Sequence, residues 1–187
     1  MHKLNDIWTL WFHLPYDVDW SINSYKKICV FNDLEKCISL IESIHDEIVK
    51  KCMLFIMKNN IKPIWEDVNN NKGGCFSYKI SHDIVIDVWK KLSYYLVGNN
   101  LTHNKSLLET INGISISPKK NYCIIKIWIS NINDLVENEI YDFIKKYLNV
   151  KLDINDLTNN YEDPFNIHEL CNINQHQCIF KKHDLLY

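Results

Sequence analysis

Hydrophobic and polar positions along this chain change period several times, and each change marks an element. Trp8–Leu14 and Lys26–Phe31 alternate with a period near two and predict strands, joined by a turn-rich segment that ends in Trp20. Asn32-Asp33-Leu34-Glu35 has the polar start and following acid of a capped helix. Leu34, Cys37, Ile38, Ile41, Ile44 and Ile48 then recur at helical spacing, so the pattern predicts one amphipathic helix from Asp33 to about Lys51. Met53–Met57 and Cys75–Ser81 read as strands on either side of a loop containing Trp65. A second helix is predicted over Asp83–Leu96, with Val85, Val88, Trp89, Leu92 and Leu96 on one face. Ile111–Ser117 and Tyr122–Ile129 form a strand pair across Pro118-Lys119-Lys120-Asn121. A third helix is expected over Asp134–Tyr147 and a last strand over Val150–Ile154. Residues 155–187 read as an irregular, Asn-rich segment.

The link between Ser117 and Tyr122 is too short for a parallel crossover, so the sheet is antiparallel and the fold class is α+β. The 187 residues are expected to form one domain, 47% hydrophobic and 24% charged, a globular balance. A formal charge of only −2 gives no overall basic field, so any nucleic-acid affinity must come from a local site. There is no run of roughly 18 apolar residues and no signal-peptide core, which points to a soluble, cytoplasmic protein, expected as a monomer. Seven cysteines lie scattered without a Cys-x-x-Cys pair and read as reduced, mostly buried thiols. His168, Cys171, His176 and Cys178 follow no standard zinc spacing, so no metal and no cofactor is expected. All 21 basic residues are lysine and alanine is absent; this suits an AT-rich genome, such as that of a protozoan or a large DNA virus. Phosphate contacts must then come from lysine point charges or backbone dipoles, never from a bidentate guanidinium.

The candidate chemistry lies in two loops. Trp20 closes Pro15-Tyr16-Asp17-Val18-Asp19-Trp20, and Trp65-Glu66-Asp67 follows Pro63-Ile64. Turn formers place both indoles at loop tips, where each offers a stacking face of roughly 1–3 kcal/mol per base. A purine carrying positive charge gains a further cation–π attraction. Glu66 supplies a carboxylate able to accept two hydrogen bonds from the N1–H and amine of guanine.

Ile61-Lys-Pro-Ile-Trp65-Glu-Asp, with Gly73-Gly74 six residues on and an aromatic strand after it, resembles the signature of the eukaryotic translation initiation factor 4E family. Ile7-Trp8-Thr9-Leu10-Trp11-Phe12 followed by Trp20 is similar to that family's opening strand and first cap-stacking tryptophan. Val88-Trp89 with Gly98, and Gly113–Lys119 through Ile125–Trp128, continue the resemblance in family order to about Val150. The resemblance implies a curved antiparallel sheet of about eight strands, three helices on its convex face and a cap-binding slot on its concave face. It implies that Trp20, Trp65, Glu66 and Trp128 hold 7-methylguanosine and that Lys119 contacts phosphate. A family lysine is replaced by Ile124, leaving Lys120 and Lys126 as the nearest substitutes. Period two puts Ile124, Lys126 and Trp128 on one strand face. Trp8, Trp11 and Trp89 are expected to pack, Asp67 to orient the Trp65 loop, and Gly73 and Gly74 to permit a tight turn.

The implied function is to bind the 5′ cap of messenger RNA and bring it to the initiation machinery through a scaffold protein of the 4G type. No membrane partner is implied, and a viral homologue would act in host cytoplasm. The family's partner surface corresponds to His2, Leu34, Ile38, Lys91, Tyr94 and Gly98. Here Ile38 stands for a tryptophan, Lys91 for an acid, Tyr94 for a leucine, and Lys3 for a nearby proline. Those departures suggest a dedicated partner. They leave open a cap-binding repressor or message-protecting decoy. A cap-hydrolysing enzyme would need clustered carboxylates for a metal, a poor match to Glu66-Asp67 alone.

Overall fold

The computed structural model describes residues 2–131, 165, 167–171 and 178–183. Among the described residues seven strands are present: β1 (Lys3–His13), β2 (Lys26–Asp33), β3 (Met53–Lys58), β4 (Gly74–Ser81), β5 (Ile111–Pro118), β6 (Tyr122–Ile129) and β7 (Cys178–Lys182). They form one sheet in the order β2-β1-β3-β5-β6-β4-β7, and every neighbouring pair is antiparallel. The helices are α1 (Leu34–Ser43), α2 (Asp46–Lys51), α3 (Val85–Val97), α4 (Lys105–Thr110) and α5 (Ile167–Cys171). The α+β class and the curved antiparallel sheet expected from the sequence are present. The helix expected over Asp134–Tyr147 and the strand over Val150–Ile154 lie outside the described residues.

Alternation along the strands divides the sheet into two faces. Cys123, Ile125, Ile127 and Ile129 of β6, Ile114 and Ile116 of β5, and Leu54 and Ile56 of β3 enter the main core. The same core takes Val85, Val88, Trp89, Leu92 and Leu96 from α3, the face that the helical period predicts. The opposite sheet face carries a smaller cluster of Tyr25, Phe55, Met57, Cys75 and Trp128. Register shifts between β1 and β2 and between β5 and β6 add local twist.

Several boundaries differ from the sequence expectation. The helix expected from Asp33 to Lys51 is two helices: Ile44 is extended, and His45 caps α2 by accepting a hydrogen bond from the Glu47 N–H at 3.2 Å. The hydrophobic period runs through this break because Ile41 and Val49 are buried on either side of it. The α1 cap is Asp33, which accepts from the Lys36 N–H at 2.9 Å; Glu35 turns instead to the His2 backbone N–H. The C-terminal segment, expected to be irregular, supplies β7 on the open edge of β4.

The two adjacent glycines also serve differently. Neither has a positive φ. A Cβ on Gly73 would lie 1.7 Å from the Ile129 carbonyl oxygen, and one on Gly74 would lie 2.5 Å from the Phe180 ring. Close approach of neighbouring strands, not a tight turn, requires them. At the end of α3, Gly98 likewise has φ −84°, and Asn99 adopts the left-handed conformation.

Candidate functional site: an aromatic slot on the concave face

The slot is a cavity of about 520 Å³ between two loops, floored by β3, β5 and β6. Trp20 stands on one side and Trp65 and Glu66 on the other, with Ser115, Lys119, Lys126 and Trp128 also lining it.

The Trp20 loop is wound by its own acids. Asp17 accepts from the Asp19 N–H at 2.9 Å, and Asp19 accepts from the Ser21 N–H and hydroxyl at 2.8 and 3.0 Å. The Ser21 N–H, then its hydroxyl, draw the Asp19 pKa below the ordinary carboxylate value. The buried His13, at the end of β1, donates from Nε2 to the Asp19 carbonyl at 3.0 Å. Its ring lies under Trp20, 4.7 Å between centroids and 10° from parallel. One indole face is therefore covered, while Trp20 keeps 55% of its surface exposed.

The Trp65 loop is built around two polar side chains. Asp67 accepts from the Lys62 N–H at 3.1 Å and from the Asn69 backbone and side-chain N–H groups at 2.9 Å each. It orients the loop, as the sequence suggests. Asn70, fully buried, donates to the carbonyls of Lys62 and Ile64 at 2.9 Å each and accepts from Asn112 Nδ2 at 2.9 Å. His183 stacks on Trp65 at 5.2 Å and 17°. The Lys126 and Lys181 ammonium groups lie 5.6 and 5.3 Å from the Trp65 ring centre.

Trp128 is only 3% exposed and donates from Nε1 to the Ser115 hydroxyl at 3.0 Å. It forms part of the slot floor. Tyr25 beside it has its pKa pushed up to about 12, by burial first and then by the charges of Glu66 and Asp19. Its phenol stays neutral under ordinary conditions.

Among the lysines proposed from the sequence, Lys119 and Lys126 line the cavity. Lys119 also donates its backbone N–H to the Tyr122 carbonyl at 2.7 Å, closing the hairpin. Lys120 is exposed at the hairpin tip and does not line the slot. His13, Tyr25, Ser115, Lys181 and His183 were not singled out by sequence. His13 could have been: it shares the concave face of β1 with Trp11 by period two.

Of the second set of residues, His2 sits at the start of α1 with Nδ1 2.8 Å from Glu35 Oε1. Ile38 is 43% exposed on α1, and Lys91 is exposed on α3. Tyr94 donates its hydroxyl to Glu42 Oε1 at 2.5 Å, and Lys90 bonds Glu42 Oε2 at 2.5 Å, so α3 is tied to α1. Burial, then the bond to Glu42, raises the Tyr94 pKa. Among the described residues no group of three or more His, Cys, Asp or Glu side chains is placed to hold a metal, and His176 lies outside them. No described helix is long and apolar enough to cross a membrane.

Fold and slot together describe an α+β protein with one concave, aromatic-walled site edged by an acid and by lysines. The chain belongs to the eukaryotic initiation factor 4E family, whose model matches residues 3–177. It is 45% identical over 62 residues to an initiation factor 4E homolog of Acanthamoeba polyphaga mimivirus, a match covering 33% of this chain and 23% of that protein. It is 27% identical over 138 residues to the initiation factor 4E of Eremothecium gossypii, covering 70% of this chain and 64% of that one. The matched stretch thus spans less than two thirds of either relative. Among solved structures, schistosome initiation factor 4E complexed with m7GpppG and a 4E-binding protein superposes with a TM-score of 0.72 at 20% identity, over 97% of this chain and 88% of that one. Caenorhabditis elegans initiation factor 4E-3, solved with the 4E-binding protein Mextli and a cap analog, gives 0.64 at 22% identity, over 81% and 88%.

Proposed function

We propose that this chain binds the 7-methylguanosine cap of messenger RNA in the slot and hands the message to the translation initiation machinery. The base stacks between the open faces of Trp20 and Trp65, and Glu66 accepts hydrogen bonds from its N1–H and amine. Methylation at N7 makes the ring cationic, which strengthens its attraction to both indoles and to the Glu66 carboxylate. Lys119 and Lys126 take the phosphates. The observation that carries this reading is the pairing of Trp20 with Trp65, each covered on one side by a histidine ring and both lining one cavity.

The test is a calorimetric titration with m7GTP and with GTP. Preferential binding of the methylated nucleotide is expected, and equal binding of the two would overturn the reading. The chain acts here as a binding protein: incubation with capped RNA and a divalent metal should release no nucleotide.

A scaffold partner is proposed on the α1–α3 face, where Ile38 is exposed and Lys91 reverses the charge that the family pattern carries. A dedicated partner fits this surface better than a standard one. The same observation favours a second reading, a repressor or decoy that binds caps without recruiting ribosomes. Mass spectrometry of proteins co-retained on immobilised cap analogue separates the two: initiation factors support the first and their absence the second.

A further inference from the structure

We propose that His183 is a positioning residue of the stacking site, fixing the Trp65 indole from behind so that one face stays aimed into the slot. This rests on the cap-slot reading above.

His183 follows β7, only 3% exposed, and is held at three points. Its backbone N–H donates to the Gly73 carbonyl at 3.0 Å. Its ring Nδ1 lies 2.8 Å from the Asn70 carbonyl, an acceptor, so Nδ1 carries the proton. Nε2 is then an acceptor and faces the Cys75 thiol at 3.0 Å. Burial pushes the Cys75 pKa up to about 12, so the S–H is retained to donate. With both nitrogens engaged, rotation of the ring would break a hydrogen bond.

The fixed ring is what Trp65 leans on, and the tilted Trp128 ring lies 5.1 Å away on the floor side. Asn70, whose carbonyl anchors His183, is also the side chain that holds the Lys62 and Ile64 carbonyls just before Trp65. Imidazole, loop and edge strand therefore form one braced unit. Trp20 has the corresponding support from His13 on the other wall. Without its backing ring, Trp65 would have to spend binding free energy on ordering its side chain when ligand arrives.

The experiment labels the full chain with 5-fluorotryptophan and assigns the Trp65 signal by its loss in Trp65→Phe. In His183→Ala the Trp65 fluorine resonance should move while those of Trp8 and Trp89 stay. Affinity for m7GTP should fall by about tenfold. In a Trp65→Leu background the same change should cost nothing further, whereas with Lys119→Ala the losses should multiply. His183→Phe, which keeps a flat ring, should recover most of the affinity. If His183→Ala moves every tryptophan signal, the fold has been lost and His183→Phe carries the comparison. An unmoved Trp65 signal, an unchanged affinity, or a full additional loss in the Trp65→Leu background overturns the proposal. If the unaltered protein binds no m7GTP, the cap reading fails, and the fluorine signal alone decides whether His183 holds Trp65.

Discussion

His13 lies flat against Trp20, with ring centroids 4.7 Å apart and planes 10° from parallel, while its Nε2 holds the Asp19 carbonyl next to that tryptophan. One side chain thus sets both the height of the loop and the orientation of the indole. A half-exposed aromatic at a loop tip would otherwise sample several rotamers, and ligand binding would have to freeze them.

Trp20→Ala and Trp65→Ala are each expected to weaken m7GTP binding by tenfold or more, since a stacked face contributes roughly 1–3 kcal/mol. The melting temperature of Trp20→Ala should barely change, because that indole is more than half exposed. Fluorescence titration is the measurement. Near-native affinity in either variant removes that residue from the site.

Glu66→Gln should reduce the preference for N7-methylated over unmethylated guanine. One acceptor oxygen becomes a donor facing a guanine N–H, and the negative charge opposite the cationic ring disappears. Calorimetry with both nucleotides reads it; an unchanged ratio makes Glu66 a structural residue.

Lys119→Ala and Lys126→Ala should each cost more affinity for triphosphate than for monophosphate cap analogues, with a shallower salt dependence than the unaltered protein. Lys120→Ala should be silent, because that side chain does not line the cavity. Equal losses at all three positions would mean that long-range attraction, not contact, is at work.

A peptide from a standard scaffold protein of the family should bind poorly on the α1–α3 face, and Ile38→Trp with Lys91→Glu should restore it. A basic side chain of the peptide would meet Lys91 at a partly desolvated rim, where like charges repel. Ordinary affinity of the unaltered protein for that peptide would end the case for a dedicated partner.

Glu35 offers a pH test away from the slot. Its hydrogen bond from the His2 backbone N–H, more than any other cause, lowers its pKa to about 2. The unfolded value is near 4.3, so the folded pKa is depressed. The stabilising tie is therefore complete above about pH 4.3 and is lost as pH falls through about 2. An NMR titration of the Glu35 carboxyl should show a midpoint near the lower value. A midpoint near the unfolded value would mean that His2 is not docked on α1.

The sequence identifies faces better than depths. Period two correctly groups Ile124, Lys126 and Trp128 on the concave side of β6, yet it cannot tell that Ser115 draws the Trp128 N–H down into the floor. The break at Ile44–His45 is hidden for a related reason: the apolar spacing that follows a buried face continues across it, while the local signal is a histidine cap, an uncommon one. The strand β7 is obscured because only Ile179 and Phe180 of its five residues, besides Cys178, are apolar, and its pairing partner lies about a hundred residues earlier. Long-range pairing leaves little trace in a local window. For the same reason Trp20, Trp65 and Glu66 could be singled out by their turn-rich surroundings, and His13 by its place on the Trp11 face of β1, whereas His183 behind Trp65 could not.

The braced wall has a temporal side. Asn70 and His183 are 113 residues apart in the chain, so the loop bearing Trp65 leaves the ribosome long before its backing strand does. At roughly 5–20 residues per second, that interval lasts several seconds or more. Until it ends, a nascent chain carries both tryptophans and the acid but not the fixed wall. Interrupted translation would therefore yield fragments that carry the recognisable signature without the brace behind Trp65.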